Sequence, residues 1–239
     1  MVLSTMDTWI LLRGLTREAA HWGRFADDFR RAWPGAQVVT LDLPGNGQFH
    51  ALPSPPSVPD MVAACRAELA RQGVRPPFRL FAMSLGAMVA TQWARSAPQD
   101  IGGCVLVNTS FRPFSPFFHR LRPHNYAALL GLALLPRSAG HIERTVWRLT
   151  SNAPEPPTAV IDAWVADTGC RAPHPHILLL ASQNDRLVNS RCSLAIARGW
   201  QCDLELHPQA GHDLPLDAPG WVLEQVQQWL CRVAAAQHG

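Results

Sequence analysis

The sequence predicts an α/β fold: a mostly parallel sheet of about six strands, helices on both faces, and one helical insertion. Three observations predict it. Short apolar runs alternate with stretches of helical period, the signature of a parallel sheet covered by helices. The 239 residues are 47% hydrophobic and 16% charged, which fits one domain with a sizeable core rather than a disordered chain. Finally, a single block, residues 111–173, breaks the alternation and reads as helical pieces without a confident strand.

In chain order, Trp9-Ile10-Leu11-Leu12 reads as the first strand, and Arg17 to Trp33 as an amphipathic helix stopped by Pro34-Gly35. Gln37 to Leu41 is a second strand, running into the turn Asp42-Leu43-Pro44-Gly45-Asn46-Gly47. A proline-rich loop leads to a helix over Pro59 to Gln72. Phe78 to Met83 is the third strand, Leu85 to Ser96 the helix after it, and Gly103 to Asn108 the fourth strand. Beyond the insertion, His176 to Ala181 and Cys202 to His207 are strands, with helices over Leu187 to Trp200 and Asp217 to Ala235. The expected organisation is a core of residues 1–110 and 174–239 with a helical lid over 111–173, since an insertion of that length at the strand ends naturally covers a site.

Charge and cysteine usage narrow the function classes. All 21 basic residues are arginine, yet the net charge is only +3 and no basic run exceeds two residues, so a nucleic-acid partner is not expected. The six cysteines show no C-x-x-C spacing, which excludes the paired-ligand zinc patterns. No His spacing suggests a metal, and no cofactor is expected. No apolar run approaches the roughly 18 residues of a transmembrane helix. An apolar strand begins at Thr8 with no basic region or cleavage site before it, so free thiols and a cytoplasmic protein are expected.

The sharpest motif is Ala82-Met83-Ser84-Leu85-Gly86, between a strand and a helix. A serine on a strained strand-to-helix turn needs small residues on either side, because those positions pack against neighbouring backbone. Such a turn holds the hydroxyl above the sheet at a helix N-terminus, with the Leu85 amide facing the same space. A serine that merely caps the helix is the competing reading.

With three further segments in order, the chain resembles the α/β-hydrolase superfamily over almost its whole length. The turn from Asp42 to Gly47 is similar to that family's D-x-P-G-x-G, Leu178 to Val188 resembles the strand and loop delivering its acid, and Ala210-Gly211-His212 resembles its G-H. The order Ser, Asp, His is the order that superfamily uses. The resemblance implies an α/β-hydrolase fold with Ser84 as nucleophile, His212 as base and Asp185 as the acid that orients it. A serine hydroxyl is a weak nucleophile at neutral pH until a base takes its proton, which is why these types must converge. Asp203, Asp213 and Asp217 are rival acids: Asp213 is adjacent to His212 and poorly placed to turn back, and Asp203 lies inside a strand. His207 is the rival base.

The resemblance also implies an oxyanion hole of the Leu15 and Leu85 backbone amides. Here the family's His-Gly after the first strand is replaced by Arg13-Gly14. Arg13 either braces that loop or reaches a carboxylate on the substrate; with Met83 and Phe111 it is a candidate substrate contact. Trp22 matches an aromatic position common in the family's first helix, and reads best as core packing. The strand hairpin that many relatives carry before the first core strand has no room here, so a reduced, all-parallel sheet is expected.

A serine carboxylic-ester hydrolase is the function this implies, with a small-molecule ester as partner. Lactonase, thioesterase and C–C hydrolase chemistry use the same triad, and a catalytically silent binding module is the reading from a different class. The lid region carries Arg112, Arg120, Arg122, Arg137, Arg144 and Arg148 against Glu143 alone between Phe111 and Thr150, a net +5. A basic lid over a serine-esterase site resembles the carrier-protein methyl esterases of biotin synthesis, which implies an acidic acyl carrier protein as an alternative partner. Arginines filling a solvent-facing helix are the plainer explanation of the same charge.

Overall fold

The computed structural model describes residues 7–14, 17–55, 57–120, 122–123 and 171–236. Among them, six strands form one parallel sheet, as the sequence predicts, and their order is β2-β1-β3-β4-β5-β6. The strands are β1 (Thr8–Leu12), β2 (Gln37–Leu41), β3 (Phe78–Met83), β4 (Ile101–Val107), β5 (Ile177–Ser182) and β6 (Asp203–His207). Most of the predicted lid lies outside the described residues; its beginning folds as turns leading into α4 (Phe117–Arg120).

Alternate residues of each strand feed two cores. Ile10, Leu12, Leu80, Ala82, Cys104, Leu106, Ile177 and Leu179 pack with α2 (Val58–Arg71), α3 (Leu85–Ser96) and α5 (Arg191–Trp200). Their neighbours Trp9, Leu11, Phe81, Met83, Val105, Val107, Leu178 and Leu180 pack with α1 (Phe25–Ala32) and α7 (Pro219–Ala236). The two-residue side-chain period of a strand therefore splits each apolar run between two helical layers. On the second face, the rings of Trp9, Phe25, Phe29, Trp33 and Phe81 form edge-on and stacked contacts with centroids 4.4–6.1 Å apart. Each such pair is worth about 0.5–1.5 kcal/mol beyond its buried area.

Three predicted helices are shorter or divided, each for a local reason. The stretch Arg17 to Trp33 is a 3₁₀ turn (Ala19–Trp22) followed by α1, with Gly23 between them at φ +52°. The Asp42 carboxylate accepts from the Ala19 amide at 2.6 Å and the Gln48 amide at 3.1 Å, tying this turn to the loop after β2. Helix α5 starts at Arg191 rather than Leu187 because Asp185 Oδ1 accepts the amides of Leu187 and Val188 at 2.7 and 3.0 Å. Local capture of amides by a side chain competes with a helix in this way. The last helix is preceded by the short α6 (Leu214–Asp217), and α7 begins at Pro219, which has no amide to continue the α6 ladder.

The chain leaves β1 for one side of the sheet, at β2, and then returns to the other side, at β3. That reversal falls between β1 and β3, and open α/β sheets place their sites at the C-terminal strand ends of such a point.

Candidate active site

Ser84 follows β3 as the N-cap of α3, with φ +53° and ψ −116°. A non-glycine residue in that region costs about 1–3 kcal/mol, so its surroundings must enforce it. The Ser84 amide donates to the Val107 carbonyl at 3.0 Å, and the Ser84 carbonyl accepts from the Ala87 amide at 3.0 Å and the Thr109 hydroxyl at 3.4 Å. The small flanking residues have distinct reasons. Ala82 is fully buried, while a Cβ on Gly86 would stand 2.5 Å from the Arg13 carbonyl oxygen and 2.6 Å from that of Leu12. Gly14 faces the serine itself: a Cβ there would lie 3.0 Å from Ser84 Cβ and 3.6 Å from Oγ.

His212, in the loop after β6, places Nδ1 2.7 Å from Asp185 Oδ2, in the loop after β5. Asp185 is 1% exposed and His212 24%. The carboxylate is divided in its duties, since Oδ1 takes the two backbone amides of its own loop while Oδ2 meets the imidazole. A carboxylate pinned at both oxygens presents one fixed geometry to the ring.

The rival acids are otherwise engaged. Asp213 is paired with Arg13, Asp217 Oδ2 accepts the Gly211 amide at 2.7 Å, and Asp203 meets Arg232 at 3.2 Å on the surface. The rival base, His207, uses Nδ1 to accept the amides of Gln209 and Ala210 at 3.2 and 2.9 Å, and its ring meets Trp221 edge-on. It caps the loop that carries His212.

Arg13 is 2% exposed. Its guanidinium forms a two-pronged pair with Asp213, Nη1 to Oδ1 at 2.9 Å and Nη2 to Oδ2 at 2.6 Å, and lies 4.7 Å from the Trp22 ring centroid. Nη1 also reaches Met83 Sδ at 3.6 Å. Trp22 is buried against Phe25 and Phe81. The structure therefore brings Arg13 and Met83 together, and buries Phe111 with its ring 5.2 Å from that of Trp200. Leu85 opens α3, where the first amides have no helical carbonyl to bond. Leu15 lies outside the described residues.

Two residues escaped the sequence reading. Asn108 sits just past β4 at φ +44°, and its Nδ2 donates to the carbonyls of His212 at 2.7 Å and Gly211 at 3.3 Å. Its Oδ1 accepts the Ser182 amide at 2.9 Å, so one side chain ties the ends of β4 and β5 to the His212 loop. Asp213 was weighed only as an acid for His212; the signal for its real partner was an arginine in an apolar strand end, which must find a counter-charge when buried. Next to this pair, His21 accepts the Glu18 amide at Nδ1. Burial, and then the charge of Arg17, holds His21 below the ordinary histidine range. Burial also pushes the Cys65, Cys104 and Cys202 thiols up to about 12, far from thiolate chemistry. Among the described residues, no group of three His, Cys, Asp or Glu side chains could hold a metal ion. Nor is any helix there long and apolar enough to cross a membrane.

A parallel sheet with a strained serine after β3 and a histidine–carboxylate pair in the loops after β6 and β5 is the architecture of a hydrolase of the α/β class. The chain belongs to the alpha/beta hydrolase family, whose model matches residues 9–225. It is 28% identical over 222 residues to the pimeloyl-[acyl-carrier protein] methyl ester esterase of Xylella fastidiosa (strain M12), covering 81% of this chain and 84% of that protein. Among solved structures, a thermophilic esterase from Thermogutta terrifontis superimposes with a TM-score of 0.67 at 20% identity, over 95% of this chain and 90% of that one. The 2-hydroxy-6-oxo-6-phenylhexa-2,4-dienoate hydrolase of Rhodococcus sp. strain RHA1 also gives 0.67, at 19% identity over 94% and 90%. An esterase and a hydrolase of another substrate thus share the fold equally, and the fold does not choose between them.

Proposed function

We propose that the protein is a serine carboxylic-ester hydrolase working through an acyl-enzyme. The observation that carries the reading is the buried Asp185 carboxylate 2.7 Å from His212 Nδ1, in loops that leave the C-terminal ends of the strands as the strained Ser84 does. With Nδ1–H donated to Asp185, His212 Nε2 is left as the free base. It takes the Ser84 proton as Oγ attacks the ester carbonyl, and Asp185 stabilises the imidazolium. The Leu85 and Leu15 amides hold the developing oxyanion. His212 returns the proton to the departing alcohol, leaving the acyl group on Oγ. Water then attacks, again through His212, releasing the acid and free Ser84.

The lid over residues 111–173 covers the mouth in this reading, and its apolar side chains receive the acyl chain. The buried thiols of Cys65, Cys104 and Cys192 support a reducing, cytoplasmic setting. The test is labelling by a fluorophosphonate probe, located by mass spectrometry, beside hydrolysis of 4-nitrophenyl esters of increasing acyl length, a lactone and an acyl thioester. Label on Ser84 and ester turnover abolished in Ser84→Ala are expected. A folded protein whose Ser84 never reacts is a binding module instead.

A second reading is favoured by the relative from Xylella: a methyl ester carried on an acidic acyl carrier protein, met by the arginines of the lid. It keeps the same chemistry and changes the partner.

A further inference from the structure

We infer that Arg13 is a positioning residue, its ion pair with Asp213 fixing the loop of the base against the elbow of the nucleophile. The inference rests on the reading of Ser84, His212 and Asp185 as the reacting set.

Arg13 meets both sides of that set by different atoms. Its backbone carbonyl lies against Gly86, so closely that a Cβ there would be 2.5 Å away, and the next residue, Gly14, faces Ser84. Its side chain runs the other way to Asp213, the residue that directly follows His212. One residue thus links the turn presenting the hydroxyl with the loop presenting the imidazole. The link is stiff, because a planar guanidinium held by two bonds to one carboxylate cannot swing as a lysine would. Packing over Trp22, itself buried against Phe25 and Phe81, fixes the plane of the fork. Asp213 is anchored in turn, since its carbonyl accepts the amides of Leu216 and Asp217 at the start of α6.

The pair also speaks for bracing over a substrate contact by Arg13. Both Nη atoms are committed, and at 2% exposure the charge is neutralised before a ligand carboxylate could meet it. What the pair governs is the approach of His212 to Ser84. A displacement of about 1 Å between reacting groups costs about 10²-fold in rate, while binding of a small ester needs no such registration.

The test compares wild type with Arg13→Lys, Arg13→Met, Asp213→Asn and the Arg13→Met/Asp213→Asn double variant. The readouts are kcat and KM on 4-nitrophenyl acetate, the fluorophosphonate labelling rate at Ser84, and the melting temperature. Assays are run well below the melting point of every variant. Loss of kcat by about 10- to 100-fold in Arg13→Met and in Asp213→Asn is expected, with KM unchanged and labelling slowed in parallel. The double variant should be no worse than the worse single, since both substitutions break one link. Arg13→Lys, which keeps the charge and loses the fork, should fall in between; if Arg13→Met does not fold, it and Asp213→Asn decide the question. Folded variants that keep wild-type kcat overturn the positioning role while the hydrolase reading stands. A wild type that neither turns over ester nor takes the label overturns the hydrolase reading first.

Discussion

The side-chain amide of Asn108 donates to the main-chain carbonyl of His212 at 2.7 Å, so the end of β4 holds a residue beyond β6. The same side chain spans to the Ser182 amide through Oδ1. Asn108→Gly keeps the φ of +44° and removes these bonds. A loss of about 2–3 kcal/mol in urea unfolding is expected, at about 1 kcal/mol for each buried hydrogen bond, with esterase activity falling further than stability alone explains. Asn108→Asp should be worse in both, since a carboxylate would face the two carbonyls that Nδ2 now serves. Equal stability for Asn108→Gly and wild type would show that the loop is held by other means.

The acids near His212 should separate cleanly by activity. Asp185→Asn should lower kcat by about 10⁴-fold by offering the wrong tautomer to the imidazole. Asp217→Asn loses only the bond to the Gly211 amide, and Asp203→Asn only a surface pair with Arg232. Both should stay within about threefold of wild type, since exposed ion pairs and peripheral hydrogen bonds carry little. An Asp185→Asn enzyme that outperforms either of the others would reassign the acid.

Two glycines should differ sharply on substitution by alanine. At Gly86 the new Cβ would collide with the carbonyl oxygens of Arg13 and Leu12, which are backbone and cannot rotate away. Overpacking of this kind costs about 3 kcal/mol or more, and it displaces the strand end that faces Ser84. At Gly73, φ is +73° but no atom lies within 4 Å of the added Cβ, so only backbone strain of about 1–2 kcal/mol remains. Melting curves of Gly73→Ala and Gly86→Ala measure the difference directly.

The sheet was legible because its strands are short runs set between stretches of helical period, the central ones almost wholly apolar, and the elbow because Ala82 and Gly86 sit where bulk is forbidden. Helix starts were less legible, since they depend on hydrogen bonds from distant residues. No local pattern says that Asp42 will take the Ala19 amide, 23 residues away in sequence. The roles of Asn108 and Arg13 were hidden for a stronger reason: their partners lie 104 and 200 residues away in sequence. Phe111 is a further case, since its ring packs against that of Trp200, far along the chain.

Mild acid should destabilise the fold through two histidines. Burial is the foremost cause holding both His21 and His174 below the ordinary value of 6.5. In His174, one ring nitrogen faces the Ile101 carbonyl and the other accepts the His176 amide, an arrangement that suits the neutral ring. The unfolded chain therefore binds protons that the folded chain resists, and stability falls as pH drops from about 6.5 toward the lowered folded values. Asp42, raised chiefly by burial, works in the opposite sense, but only in the window just above 3.8. Urea midpoints at pH 7.5 and 5.5 should differ less in His174→Gln, whose side chain has no proton to gain. An unchanged difference would put the acid sensitivity elsewhere.

The choice between a free ester and a carrier-linked one should be readable from salt. Electrostatic steering raises the encounter rate of oppositely charged partners and is screened as ionic strength rises, whereas a small neutral ester feels neither effect. If the lid meets an acidic carrier, kcat/KM for a carrier-linked acyl methyl ester should exceed that for the free ester at about 20 mM salt, with the advantage shrinking by about 300 mM. The variants must be chosen by position. Arg120 is half-buried, and burial holds its pKa below the ordinary arginine value, so reversing its charge would disturb packing as well as steering. Arg112 is exposed at the start of the lid, and Arg137, Arg144 and Arg148, which lie outside the described residues, complete the basic set. Changing these four to glutamate should abolish the carrier advantage and leave turnover of 4-nitrophenyl acetate within about twofold, because steering acts on encounter and not on chemistry. Equal rates on free and carrier-linked esters at low salt would assign the protein to small-molecule esters, with its arginines serving the surface of the lid alone.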